Sequence, residues 1–179
     1  LYDVIEEKNY SAALSNMLYP SDEMVKVGSP FAIQYVYEAL EKVGKQDEIL
    51  RSIYDKYLPM LEDGATTVWE VFPTSDDKPA DFPTRSHCHA WSSTPLHFLP
   101  RILLGIRQKE VGGTAYEISP RPNGLNWAKG AVASPRGPVK VEWRLVGKKL
   151  SIHSQAPDGV ELRFVTNDAL EGFEVERNF

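Results

Sequence analysis

The run Val139-Lys140-Val141-Glu142-Trp143-Arg144-Leu145 alternates apolar and charged residues without a break. A period of two puts Val139, Val141, Trp143 and Leu145 on one face and the charged residues on the other, which reads as a half-buried strand. Upstream, Leu125, Trp127, Ala131 and Ala133 form the apolar row of the strand before it, joined through the turn Pro135-Arg136-Gly137-Pro138. Downstream, Gly147-Lys148 turns into Leu150 and Ile152, and Pro157-Asp158-Gly159 turns into Val160, Leu162 and Phe164; Phe173 and Val175 form a last strand. Short strands with turns every ~8–12 residues predict an antiparallel β-sandwich from about Gly112-Gly113 to the end.

Before that glycine pair the spacing is helical. Tyr10, Ala13, Leu14, Met17 and Leu18 share one helix face, and Tyr19-Pro20 stops it. Ser29 is an N-cap with Pro30 in the first turn, and Gly44 closes a helix whose apolar face runs Ala32, Val36, Ala39, Leu40 and Val43. A third helix from Asp47 carries Leu50, Ile53, Tyr54, Tyr57, Leu58 and Leu61, with Pro59 expected to bend or end it early and Gly64 as its cap. A fourth covers about Trp91 to Leu104, kinked or late-starting because of Pro95 and Pro100. The chain therefore divides into a helical part, 1–108, and a sheet part, 109–179.

Charge follows the same division. Of 20 Lys+Arg and 25 Asp+Glu, the first 110 residues hold 11 and 17, and the remainder 9 and 8. A net charge of −5 with no basic run argues against nucleic-acid or anionic-membrane partners. No apolar run approaches the ~18 residues of a membrane span. One cysteine excludes a disulfide framework and leaves the compartment open. Leu1 already stands close to a helical pattern, so the sequence reads as a piece of something longer.

Gly64 to His97 is the anomaly: a connection rich in Pro, Asp, Thr and Ser that also holds Trp69, Glu70, His87, His89 and Trp91. Connections of this length are functional or disordered, and the aromatics and histidines argue for function. Glu70 beside Trp69 suggests a carboxylate held near an aromatic wall, as in a sugar site; a solvated glutamate at a strand end is the plainer alternative. Asp76, Asp77 and Asp81 read as a solvated loop. His87-Cys88-His89 has too few companions for a metal, since zinc needs three or four ligands at recognisable spacing. Cys88 reads as a small buried thiol, His97 as a core or interface histidine and His153 as a surface residue.

The Gly64-Ala65-Thr66-Thr67-Val68-Trp69-Glu70 run, preceded by Ser29-Pro30-Phe31 and Tyr57-Leu58-Pro59-Met60-Leu61, resembles bacterial α-L-rhamnosidases of glycoside hydrolase family 78. So do Ser86-His87-Cys88-His89-Ala90-Trp91-Ser92, Phe98-Leu99-Pro100-Arg101 and Leu104-Gly105-Ile106-Arg107, with Leu125-Asn126-Trp127-Ala128-Lys129-Gly130 and Gly137-Pro138-Val139 further on. The resemblance implies an α+β chain: the last helices of an (α/α)6 six-hairpin barrel followed by a C-terminal β-sandwich. It implies an inverting glycosidase acting on a rhamnose-containing glycoside or oligosaccharide, with Glu70 as general base and His89, rather than His87, touching the sugar. Trp69 or Trp91 forms an apolar wall under the sugar, and His87 is the alternative to His89 as the sugar contact. The family's general acid lies in an acidic run with no counterpart here, so the N-terminal part of the parent chain is the expected partner and these residues alone are expected to be inactive. No cofactor is called for. The alternatives are a related six-hairpin glycosidase with a different sugar, or a non-catalytic module binding carbohydrate or a partner through Trp127, Trp143 and Arg121; the two tryptophans read otherwise as sandwich core.

Overall fold

A computed structural model describes residues 4–73 and 86–179; Asp76, Asp77 and Asp81 lie outside them. The chain forms two compact units, Leu1–Pro95 and Leu96–Phe179.

The first unit holds α1 (Tyr10–Leu18), α2 (Pro30–Lys42) and α3 (Gln46–Glu62). Ser29 caps α2 as its sequence asks, its hydroxyl accepting the Ala32 amide at 3.2 Å. The buried face of α2 is Pro30, Ile33, Tyr37 and Leu40, one position round from the expected stripe, and Val43 is exposed. The reason is size and hydrogen bonding: Ile33 and Tyr37 exclude more water than Ala32 and Val36, and the Tyr37 hydroxyl donates to Ser52 Oγ of α3 at 2.9 Å. α3 runs through Pro59 to Glu62 instead of ending early. Proline removes only one ladder bond there, and the buried Tyr57 and Met60 hold the last turn. Tyr54 and Leu61, expected inside, are exposed.

α4 (Thr94–Ile102) starts late, after a 3-10 turn at Ala90–Ser92, with Pro95 in its first turn. In the second unit, β1 (Ile106–Gln108), β2 (Ala115–Ile118) and β6 (Glu161–Phe164) form one sheet in the order β1-β2-β6. β3 (Trp127–Ser134), β4 (Gly137–Val146), β5 (Lys149–Gln155) and β7 (Glu174–Asn178) form the other in the order β3-β4-β5-β7. The sheets share a core of Ile106, Tyr116, Ile118, Val139, Val141, Trp143, Leu150 and Ile152. They are mixed rather than wholly antiparallel: β2–β6 and β5–β7 pair parallel. Parallel neighbours need a crossover, and β6, lying in the other sheet, lets β7 return alongside β5 in the same direction.

Trp143 is 0% exposed, and its indole N–H donates to the Leu103 carbonyl at 2.7 Å. Trp127, expected in the same core, is 59% exposed. The inward row of β3 is Ala128, Gly130 and Val132, paired with Trp143, Val141 and Val139. The row is tight at Gly130, where a Cβ would stand 2.7 Å from Leu104 Cδ1. Arg121 is held by the Asp168 carboxylate and is mostly buried, so it is a structural residue.

Candidate functional site

Two short segments of the first unit lie side by side. The Glu70 amide donates to the Ser86 carbonyl at 2.9 Å, and the Ser86 amide returns a bond to Glu70 Oε2 at 2.9 Å. The His89 amide donates to the Val68 carbonyl at 2.9 Å, and the Thr67 hydroxyl to the His87 carbonyl. Residues 67–70 and 86–89 thus form a short ribbon that carries Glu70 on one arm and both histidines on the other.

The ribbon is fastened to the helices at both arms through one side chain. Beyond Glu70, the Phe72 amide donates to Gly28, and the buried Phe72 ring packs edge-on against Tyr57 at 5.2 Å. Beyond His89, the Ser92 carbonyl accepts the Tyr57 hydroxyl at 3.2 Å. Burial pushes the Tyr57 hydroxyl well above the usual tyrosine range, so it stays a donor. Tyr57 was legible in the sequence as part of an apolar stripe; its clamp on the ribbon was not, because both partners are distant in the chain.

The five residues singled out from the sequence all stand on or next to this ribbon. Trp69 stacks on His87 with centroids 4.5 Å apart and planes 17° apart. His89 meets Trp91 edge-to-face at 6.0 Å. Trp91, 69% exposed, also lies 5.1 Å from Phe31, which with Tyr35 extends the aromatic surface along α2. Phe31, read in the sequence only within the Ser29-Pro30-Phe31 run, was not singled out as a site residue because it falls off the apolar face of α2. Among the described residues, no hydrogen bond joins the Glu70 carboxylate to either histidine.

Two expectations are corrected. Cys88 is exposed rather than buried: its amide and carbonyl both bond Ser86 Oγ in a tight turn that holds its segment at the surface. His97 is not a core residue: its ring is exposed and stands edge-on to Phe98 at 4.9 Å, because α4 turns Phe98 and Ile102 inward instead. His153 is exposed on β5. Among the described residues no three His, Cys, Asp or Glu side chains group closely enough to hold a metal.

A carboxylate and two aromatic–histidine pairs thus stand together on one ribbon, in a chain that continues into a two-sheet unit, and comparison with known proteins identifies the family. Residues 6–103 match the bacterial alpha-L-rhamnosidase 6 hairpin glycosidase domain, and residues 105–178 the bacterial alpha-L-rhamnosidase C-terminal domain. The chain belongs to the bacterial α-L-rhamnosidase family. An alpha-L-rhamnosidase of Formosa agariphila is 28% identical over 149 residues, 76% of this chain and 15% of that protein. The crystal structure of a GH78 family rhamnosidase of Bacillus sp. GL1 superposes with a TM-score of 0.82 at 36% identity, over 97% of this chain and 18% of that one. The Streptomyces avermitilis α-L-rhamnosidase complexed with L-rhamnose shares the fold, with a TM-score of 0.58 at 19% identity over 73% of this chain and 13% of that one. The chain therefore spans less than a fifth of the length of these relatives.

Proposed function

We propose that this chain carries the general-base side of an inverting α-L-rhamnosidase site, within a catalytic part that reaches to residue 108. In such a reaction one carboxylic acid protonates the leaving oxygen while a carboxylate draws a proton from water attacking the opposite face of the sugar. Glu70 is the base. Its Oε2 is committed to the Ser86 amide, which fixes the carboxylate plane and leaves Oε1 to accept from water. This reciprocal Glu70–Ser86 pair is the observation that carries the reading.

His89, on the same ribbon, exchanges hydrogen bonds with a sugar hydroxyl, while Trp91 and the ring face of Trp69 turned away from His87 wall the sugar's apolar side. His87 acts through its stack on Trp69. The substrate is a rhamnose-containing glycoside or oligosaccharide. The acid comes from the larger part of the enzyme that the relatives have and these 179 residues do not cover, and the isolated chain has no turnover. The apolar side of α3 with Tyr54 and Leu61 supports that reading, because helices of the whole enzyme would cover it.

The test is kinetic, in the full-length enzyme with an aryl α-L-rhamnoside. Glu70→Gln is expected to lower kcat by ~10²–10⁴-fold, and His89→Ala to reduce kcat/KM by ~1–3 kcal/mol equivalent. Proton NMR of the wild-type reaction is expected to show the β-anomer first. An unchanged kcat removes Glu70 from the mechanism; turnover by the isolated chain, abolished by Glu70→Gln, overturns the division of acid and base.

A further inference from the structure

We propose that the exposed face of the four-stranded sheet binds an uncharged saccharide chain, with Trp127 as its stacking platform. The pairing register sets Trp127, Arg144, Ser151 and Glu176 in one row across β3, β4, β5 and β7. The next row is Lys129, Glu142, His153 and Asn178. Neighbouring strands are ~4.8 Å apart, so each row runs about 14 Å, enough for a short oligosaccharide. A shallow groove of about 600 Å³ lies over β4, β5 and β7, lined by side chains of both rows. Trp127 stands beside Arg144 at the β3 end.

The chemistry of the face selects the ligand. An exposed indole offers an apolar plane, and sugar rings present flat C–H faces that fit it. Guanidinium donors, carboxylate acceptors and the amide of Asn178, which does both, suit the hydroxyls around the ring edge. A phosphate, nucleic acid or acidic peptide would need a strongly positive face, and this one is close to balanced, with Lys129, Lys140, Arg144 and Lys149 against Glu142, Glu174 and Glu176. Glu142 pairs with Lys129 at 2.9 Å and Arg144 at 3.6 Å, and Glu176 pairs with Lys149 at 2.7 Å. The Lys129 hydrogen bond also holds the Glu142 carboxyl below its usual range, so it stays an acceptor. Trp127 faces outward because β3 turns Ala128, Gly130 and Val132 toward the core, and Trp127 alternates with them. The inference stands on the sheet alone and does not require Glu70 to act as a base.

Native affinity electrophoresis of the full-length enzyme tests it, in gels containing neutral rhamnan, galactomannan, xyloglucan or, as the charged comparison, polygalacturonate. At least one neutral polysaccharide is expected to retard the enzyme, with apparent Kd raised at least tenfold by Trp127→Ala and by Arg144→Ala. Glu70→Gln is expected to leave retardation unchanged, and Trp127→Ala to leave aryl-rhamnoside kcat unchanged. No retardation by any neutral gel, retardation by polygalacturonate alone, or retardation insensitive to both sheet variants overturns the proposal. Loss of retardation in Trp91→Ala but not in Trp127→Ala moves the binding to the Glu70 ribbon and equally overturns it.

Discussion

The two sheets enclose their inward rows and leave Trp127 exposed on the outer side, whereas the helical unit leaves side chains of its apolar arc at the surface. Trp143, Val139 and Leu150 are 0% exposed, while on α3 Tyr54 is 65% exposed one residue after the buried Ile53. A strand has two faces, so an apolar row is either inside or outside, and two facing sheets cover both inner rows. A helix spreads its apolar residues round an arc, and α3 has more arc than α2 covers. Enclosure in this chain thus follows the geometry of the element more than its hydrophobicity.

Substitutions can break or sharpen that contrast. The largest effect is expected from Trp143→Ala, which empties an enclosed site and loses the Leu103 hydrogen bond; ~3–5 kcal/mol of sheet-unit stability is expected to go. Urea unfolding followed by amide exchange in β4 and β5 reads it, and a loss below about 1 kcal/mol would show a sandwich that is not tightly packed.

A smaller effect belongs to Tyr37, the enclosed tyrosine of α2. Burial raises its hydroxyl from the ordinary 10.0 to about 12. A folded value above the unfolded one means that this contribution is whole below pH 10 and is lost as pH rises through about 12. Tyr37→Phe is expected to cost ~0.5–1.5 kcal/mol at neutral pH and to flatten the alkaline limb of a helix-monitored stability profile. An unchanged limb would transfer that sensitivity to another group. The smallest effect is expected at Tyr54→Ala, within ~0.5 kcal/mol in the isolated chain. A loss above about 2 kcal/mol by thermal melting would mean that this side of α3 is covered.

Element positions were largely legible in the sequence: α1, α2 and the β4–β5 hairpin follow period, cap and turn signals. β1 and β2 were missed because three- and four-residue strands with little alternation give no measurable period. Which side of an element turns inward was less legible. On α2 the aliphatic stripe lost to Tyr37, whose hydroxyl partner Ser52 lies fifteen residues away. On β3 bulk pointed to Trp127, while the register with Trp143, Val141 and Val139 turns Ala128, Gly130 and Val132 inward. The ribbon segments were visible as an aromatic, histidine-rich connection, but the Glu70–Ser86 bonds and the Tyr57 clamp are tertiary facts without local signature.

The reciprocal Glu70–Ser86 bonds also join two arms that lie sixteen residues apart in the chain. Both ends of the intervening stretch are pinned to each other and, through Phe72 and Ser92, to Tyr57. One tyrosine is thus the keystone of the arrangement: the carboxylate and the histidines keep their stations only while Tyr57 holds both arms, so a change at a helix position that never meets the sugar would displace all three together.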